Sequence, residues 1–263
     1  MEAELSPMID PAKLVLEALV LVAALVYSRD LPETRSRRFV LGFTALTVGL
    51  NSLFYYFAVW PFFLSSGISK ADLQVLVLFD IPKLGVLAYV LSGFATRVAD
   101  AGFGGGFALL RSEPGLRGAV LFGIFAGVAA IAAGYGLCFA EYRMGILEAL
   151  PWSFMKDNPG FIKLALWGGL RNLTGEEILT RLGAQSILLF ALRKNRAASI
   201  LAILLSSLFF EFWHNGLREL YFLNFTASCA FAWAYKVRGY ESAAIAHALA
   251  DFLGLIILPH LLF

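Results

Sequence analysis

The sequence predicts an all-α membrane protein, a polytopic transmembrane helical bundle of about eight spans. Hydrophobic residues make up 59% of its 263 residues, charged residues only 15%, and the mean hydropathy is +0.75. A globular domain is nearer half apolar and a quarter charged, so this composition excludes an ordinary soluble fold. The apolar residues also fall into runs of about 20 residues, which is the length that a helix needs to cross a bilayer.

Eight apolar runs qualify as candidate spans, at 12–28, 39–63, 73–95, 118–140, 161–192, 197–215, 217–235 and 240–262. The fifth run is over-long and is interrupted by glycines and polar residues at 168–172. We expect its helix to begin after this interruption, because Thr174 and Glu177 have the spacing of a capping box. Residues 1–160 hold four spans without a recognisable motif and are predicted to face substrate and lipid. Residues 161–263 are predicted to form the catalytic part.

Lys and Arg residues concentrate in the loops after the first, third, fifth and seventh spans. With eight spans, these four loops lie on one side of the membrane. Because basic loops stay in the cytoplasm, we predict a multi-pass protein of the cell membrane with both termini outside the cytoplasm. The formal charge of +2 gives no indication of a nucleic-acid partner. The expected partners are the lipid bilayer and a membrane-anchored protein or peptide substrate.

The stretch 174–181 carries two carboxylates and a guanidinium, from Glu176, Glu177 and Arg181, within a segment that is otherwise apolar. A charged group at membrane depth costs about 2.5–3.5 kcal/mol on insertion scales, so it indicates a functional site and a partner. On a helix Glu177 and Arg181 share a face, whereas Glu176 points about 100° away. We therefore predict that Glu177 pairs with Arg181 and that Glu176 is the reactive carboxylate.

Two of the three histidines occupy informative positions. His214 closes the sixth span, four residues after Phe210. This span runs antiparallel to the Glu176 helix, so a helical hairpin can bring Glu176 and His214 together. His247 and Asp251 are four residues apart on the eighth span, so Asp251 can hold the imidazole in one tautomer.

Glu, His, His and Asp on three helices fit water activation and oxyanion stabilisation. A carboxylate and an imidazole can share the task of general base, and a second imidazole can donate to charge developing on a carbonyl oxygen. The sequence contains no His-Glu-x-x-His or paired-cysteine spacing, so we expect neither a metal nor another cofactor. Cys138 and Cys229 lie in separate apolar segments and are expected to be buried hydrophobic residues.

The chain resembles the CAAX protease and bacteriocin-processing family, glutamate-type intramembrane proteases that include the type II CAAX prenyl endopeptidases. The resemblance rests on three motifs in this order: Glu176-Glu177-x-x-x-Arg181, Phe210-x-x-x-His214 and His247-x-x-x-Asp251. It covers about residues 160–262. The last motif ends in Asp251, where prenyl endopeptidases have Asn.

The resemblance implies an intramembrane protease with four catalytic residues. Glu176 and His214 would activate the attacking water, and His247 and Asp251 would support the oxyanion. Around them, Glu177, Arg181 and Phe210 would take structural or orienting roles.

The leading interpretation is an intramembrane endopeptidase that hydrolyses a peptide bond near the membrane. If the site opens outward, as the charge bias predicts, a membrane-anchored sorting tail or an exported peptide fits better than a cytoplasmic prenylated C terminus. Sortase-like processing of C-terminal anchors belongs to this reading. A proton-coupled transporter could use the same buried groups as a relay. A catalytically silent immunity or scaffold protein is the third alternative.

Overall fold

The computed structural model describes residues 11–33, 36–65, 67–111, 115–146, 169, 175–192, 196–215 and 222–257. Within these ranges the chain forms helices and no strand, which confirms the all-α prediction. The α-helices are α1 (Pro11–Tyr27), α2 (Arg37–Phe54), α3 (Trp60–Ser65), α4 (Lys70–Asp100), α5 (Gly115–Arg143), α6 (Ser186–Ala191), α7 (Arg196–Asn215), α8 (Phe222–Arg238) and α9 (Tyr240–Asp251). Wider π-helical turns occur at Tyr55–Val59, Ile178–Gln185 and Phe252–Ile257.

Five helical stretches in the described ranges are long and apolar enough to cross a membrane, and they correspond to predicted spans one to four and six. They are Pro11–Asp30, Arg37–Phe57, Lys70–Asp100, Gly115–Arg143 and Ala197–His214. Large apolar side chains on these helices face outward; Leu19 is 60% exposed and Leu78 is 75% exposed. Such a surface is stable against lipid and not against water, so the chain is an integral membrane protein. The helices at the other three predicted spans are shorter, and their full crossing stays a prediction.

The π-helical segment Ile178–Gln185 lies at the centre of the bundle. All eight of its residues are buried, and it packs against α1, α4 and α7. The main apolar core joins both halves of the sequence, with Val20 and Leu87 from the first and Ile178 and Tyr235 from the second. The predicted boundary between residues 160 and 161 lies outside the described residues, as does the capping position Thr174. The two-part division therefore stays a prediction.

Polar bonds join this segment to α8 inside the bundle. The Gln185 amide Nε2 donates to the Ala232 carbonyl at 2.7 Å, and the hydroxyl groups of Ser186 and Tyr235 are 2.6 Å apart. Later residues of the segment bond to later residues of α8, so the segment and α8 run parallel. Both bonds lie inside the bundle, and together they fix the segment's register against α8.

The glycine-rich connection between α4 and α5 folds under the first turn of α9. Gly106, with a positive φ of 73°, accepts from the Tyr240 N–H at 2.7 Å. The Glu241 carboxylate accepts from the backbone N–H groups of Ala108 at 2.6 Å and Leu109 at 3.0 Å. Tyr240 is only 3% exposed as a result. Helix α9 therefore begins inside the protein and not at its surface.

Candidate active site

Glu176 and His214 meet at the ends of two neighbouring helical segments. Glu176 precedes the π-helical segment, and His214 lies at the end of α7. The Glu176 Oε2 and His214 Nε2 atoms are 3.0 Å apart. The other ring nitrogen, Nδ1, lies 2.9 Å from the carbonyl oxygen of Phe210 one turn earlier. The helical hairpin inferred from the sequence brings these two side chains together.

The hydrogen-bond geometry requires a proton between Glu176 and His214. A carbonyl oxygen only accepts, so His214 Nδ1 must donate to Phe210. A neutral ring with its hydrogen on Nδ1 would turn the Nε2 lone pair towards a carboxylate oxygen 3.0 Å away. The contact is attractive only if the carboxyl group or Nε2 carries a proton. The pair can therefore take up and return a proton as a unit.

Glu177 forms the opposite wall and is fully buried. Its Oε2 accepts from Arg181 Nε at 3.0 Å, and neither side chain is exposed. Arg181 also donates from Nη2 to the Ser228 hydroxyl at 2.7 Å on α8. The Glu177 Oε1 atom lies 2.9 Å from His247 Nδ1. Because Glu177 is paired with a guanidinium, it is ionised and accepts the Nδ1 proton of His247.

This arrangement changes the expected role of Asp251. The four-residue spacing predicts that Asp251 orients His247, but Glu177 occupies the Nδ1 side of the ring. Asp251 Oδ1 lies 3.9 Å from Nε2, which is beyond hydrogen-bond distance. Glu176 Oε2 is also 3.9 Å from Nε2. His247 Nε2 therefore faces a space bordered by two carboxylates, and one water or one substrate oxygen can bridge such a distance.

Aromatic rings hold both imidazoles. Phe210 lies 4.1 Å from the His214 ring and 5.4 Å from the His247 ring, measured between centroids. Phe231 stacks on His247 at 4.6 Å with an interplanar angle of 21°. The sequence motifs include Phe210 but miss Phe231 and Ser228. Their three-residue spacing on α8 places both on one helix face, and only their partners' positions reveal what they do.

The exposure of the side chains increases from one side of the site, the buried wall, to the other, the accessible edge. The side chains of Glu177 and Arg181 are not exposed at all, and that of His247 is 5% exposed. The side chains of Glu176 and Asp251 are 20% and 29% exposed. Water can therefore reach Glu176 and Asp251, while the Glu177–Arg181 ion pair is kept dry.

The Rce1-like family model, type II CAAX prenyl endopeptidase Rce1-like, matches residues 158–253. The family resemblance is thereby confirmed. No curated protein and no solved structure matches the chain. The Rce1-like segment contains every residue of the three motifs, while α1–α5 lie outside it.

Helix α1 nevertheless reaches the site of the Rce1-like segment. Lys13 Nζ lies 4.9 Å from the centroid of the Trp213 ring, and this ring is 4.9 Å from that of His214. A cation over an indole face is stabilised by the ring's quadrupole. Helix α1 thus contributes to the surroundings of motifs that the Rce1-like segment supplies. No sequence motif indicated Lys13.

Proposed function

We propose that this protein is an intramembrane endopeptidase that hydrolyses a peptide bond near the membrane in a protein or peptide substrate. The match to an endopeptidase family supports the reaction class. The observation that carries the proposal is the 3.0 Å contact of Glu176 with His214, beside a second imidazole whose Nε2 faces the same space. This set provides a base, a proton donor and an oxyanion partner without a covalent nucleophile.

Glu176 and His214 would activate the attacking water. A water held between Glu176 and His247 gives its proton to the Glu176–His214 pair, and its oxygen attacks the carbonyl carbon of the scissile bond. When the carbon–nitrogen bond breaks, the same pair returns a proton to the departing amine. General acid–base catalysis of this kind contributes about 10²–10⁴-fold to rate.

His247 would stabilise the oxyanion through an Nε2–H. Its Nδ1 proton is engaged by Glu177, so Nε2 carries a hydrogen only when the ring is an imidazolium. Glu177 would fix the orientation of His247. Asp251 would offer an acceptor oxygen across the space that Nε2 faces. Arg181 would neutralise Glu177 so that the wall of the site can stay buried.

The substrate class follows from the side on which the site opens. The basic loops lie at the ends of the helices that are opposite to His214. If these loops are cytoplasmic, the accessible edge faces outward, and the substrate is a membrane-anchored sorting tail or an exported peptide. A prenylated C terminus in the cytoplasm fits only the reverse orientation.

Replacement of Glu176 tests the proposal. We expect Glu176→Gln to lower cleavage at least about a hundredfold while the protein stays folded, because the amide cannot accept the water proton. Glu141→Gln, near the end of α5 and outside the site, is the matched control and should cleave normally. New N termini in membrane proteins are compared by mass spectrometry between cells that express wild type and each variant. Wild-type cleavage by folded Glu176→Gln would refute the assignment.

A further inference from the structure

A cavity lies where α1, α2 and α4 meet on the side of the basic loops, at the opposite ends of the helices from His214. Its volume is about 310 Å³, at the lower end of the range of small-ligand pockets. Ser28 directly follows α1, Arg37 is the first residue of α2, and Arg97 lies in the last turn of α4. The cavity therefore lies at the level of the helix ends, where a membrane protein meets the lipid headgroups.

One half of the cavity is polar and carries a positive charge. Arg37 and Arg97 both line it, from different helices. Arg97 donates from Nη1 to the backbone oxygen of Ser28 at 3.2 Å, which holds this guanidinium at the wall. Within the described part of the chain Arg37 has no ion pair or hydrogen bond. Glu33 also lines the cavity, so two guanidinium groups and one carboxylate leave one net positive charge.

The rest of the lining is largely apolar. It includes Leu25 of α1, Val40 of α2 and Phe94 of α4. One face of α4 lines the cavity with three residues at four-residue intervals, Tyr89, Gly93 and Arg97. Gly93 leaves a gap between the phenol of Tyr89 and the guanidinium of Arg97. A Cβ atom added at Gly93 would meet no atom within 4 Å. Gly93 therefore leaves the apolar part of the cavity open.

We propose that this cavity binds an anionic phospholipid from the leaflet on the basic side of the membrane. The lipid phosphate lies between Arg37 and Arg97, and the beginning of one acyl chain lies along Leu25 and Gly93. Basic pockets between transmembrane helices on the cytoplasmic side are suited to anionic headgroups, and guanidinium groups match phosphate geometry. The apolar half distinguishes a lipid from a free phosphate ion, which would leave that half empty.

Thermal unfolding of the purified full chain in nanodiscs tests the proposal. Phosphatidylcholine discs are compared with discs that also contain phosphatidylglycerol. For wild type we expect the anionic lipid to raise the unfolding midpoint by about 2–4 °C, the shift typical of a modest stabilisation in a chain of this size. Arg37→Gln should abolish this rise because it removes a partner of the phosphate. Gly93→Leu should abolish it because the added side chain fills the cavity. Each variant is compared with itself in phosphatidylcholine, so a general loss of stability does not affect the result.

Matched controls separate the site from bulk charge. Arg29→Gln removes one charge from the same side, but Arg29 does not line the cavity, and Gly136→Leu adds a side chain at an open glycine of α5. Both should keep the lipid-dependent rise. An equal rise in all variants, or no rise in wild type, would overturn the proposal. The same rise with soluble inorganic phosphate in phosphatidylcholine discs would also overturn it, because the ligand would then be a free anion.

Discussion

At the scale of single residues, two adjacent glutamates have opposite surroundings. Glu176 has a side chain that is 20% exposed and contacts His214, whereas Glu177 is fully buried and paired with Arg181. Consecutive residues on a helix point about 100° apart, so one can face a cavity while the next faces the core. The first can therefore exchange protons with water, and the second can hold a fixed charge.

Glu177→Gln should destabilise the protein more than Glu176→Gln does. An amide at position 177 leaves the Arg181 guanidinium buried without a countercharge, and breaking a buried pair in this way costs about 3–5 kcal/mol. Thermal unfolding in one detergent compares the two variants with wild type. Adding Arg181→Met to Glu177→Gln should recover part of the loss, because no uncompensated charge then remains. Equal midpoints for both single variants would contradict the proposed division of roles.

Asp251 should tolerate Asn far better than Ala. Its carboxylate is 3.9 Å from His247 Nε2, across the space in which the oxyanion would form. Asn keeps the size of the side chain and an acceptor oxygen at nearly the same position, so we expect turnover within about tenfold of wild type. Ala removes the acceptor, and we expect a loss of about a hundredfold or more, the size of the effect when one interaction that supports an oxyanion is lost. Turnover of a defined peptide measures both variants. If folded Asp251→Asn is as inactive as the Ala variant, the negative charge itself is required.

At the scale of elements, two irregular segments position the site. The π-helical segment Ile178–Gln185 carries Arg181 towards α8, and the Ser186 hydroxyl donates to the Arg181 carbonyl five residues back at 3.0 Å. Wider turns of this kind recur at functional sites because they shift side chains out of the regular helical register. The glycine-rich connection 101–111 sets the depth at which α9 begins. It thereby also sets the position of His247 in the bundle.

Gly106→Ala should reduce both stability and activity. The residue has a φ of +73°, and an added Cβ would lie 2.5 Å from the Ala99 Cβ, so the connection must shift. Gly115→Ala is the matched control, because Gly115 has a φ of +61° and open space around it. The left-handed backbone alone costs about 1–2 kcal/mol in each variant, and only Gly106→Ala adds a clash. Unfolding midpoints and turnover compare them, and equal effects would show that the packing under α9 is unimportant.

At the scale of the whole molecule, the helices outside the Rce1-like segment enclose it. Helices α1 and α4 pack on the π-helical segment, and α5 packs on α8 and α9. Catalysis in a bilayer needs such an enclosure, because charged groups at this depth must face protein or a water-filled space. The orientation of this assembly decides whether the substrate arrives from the outer or the inner side of the membrane.

Cysteine labelling should show the basic side in the cytoplasm. In a background with Cys138 and Cys229 replaced by Ala, a Cys at position 36 lies before α2 on the basic side, and a Cys at exposed position 144 lies after α5 on the other side. A membrane-impermeant maleimide applied to intact cells should label position 144, and position 36 only after permeabilisation. The reverse pattern would place the accessible edge of the site in the cytoplasm and favour a prenylated substrate.

The sequence by itself determined the membrane class, the all-α fold and the pairing of Glu177 with Arg181. The first two follow from composition and from the length of the apolar runs, which are properties of any segment that crosses lipid. The pair follows from the four-residue spacing on one helix face, which needs no knowledge of other helices. Antiparallel helices joined by a short loop likewise made the approach of Glu176 and His214 predictable.

Only the tertiary structure decided which carboxylate holds His247 and how deep that residue lies. The local spacing favoured Asp251, but Glu177 comes from another helix and reaches Nδ1 at 2.9 Å. The depth of His247 depends on the connection that folds under the first turn of α9, and this contact joins distant parts of the sequence. The sequence likewise could not predict the roles of Ser228, Phe231 and Lys13. Contacts between distant helices depend on packing and leave no periodic pattern in the sequence.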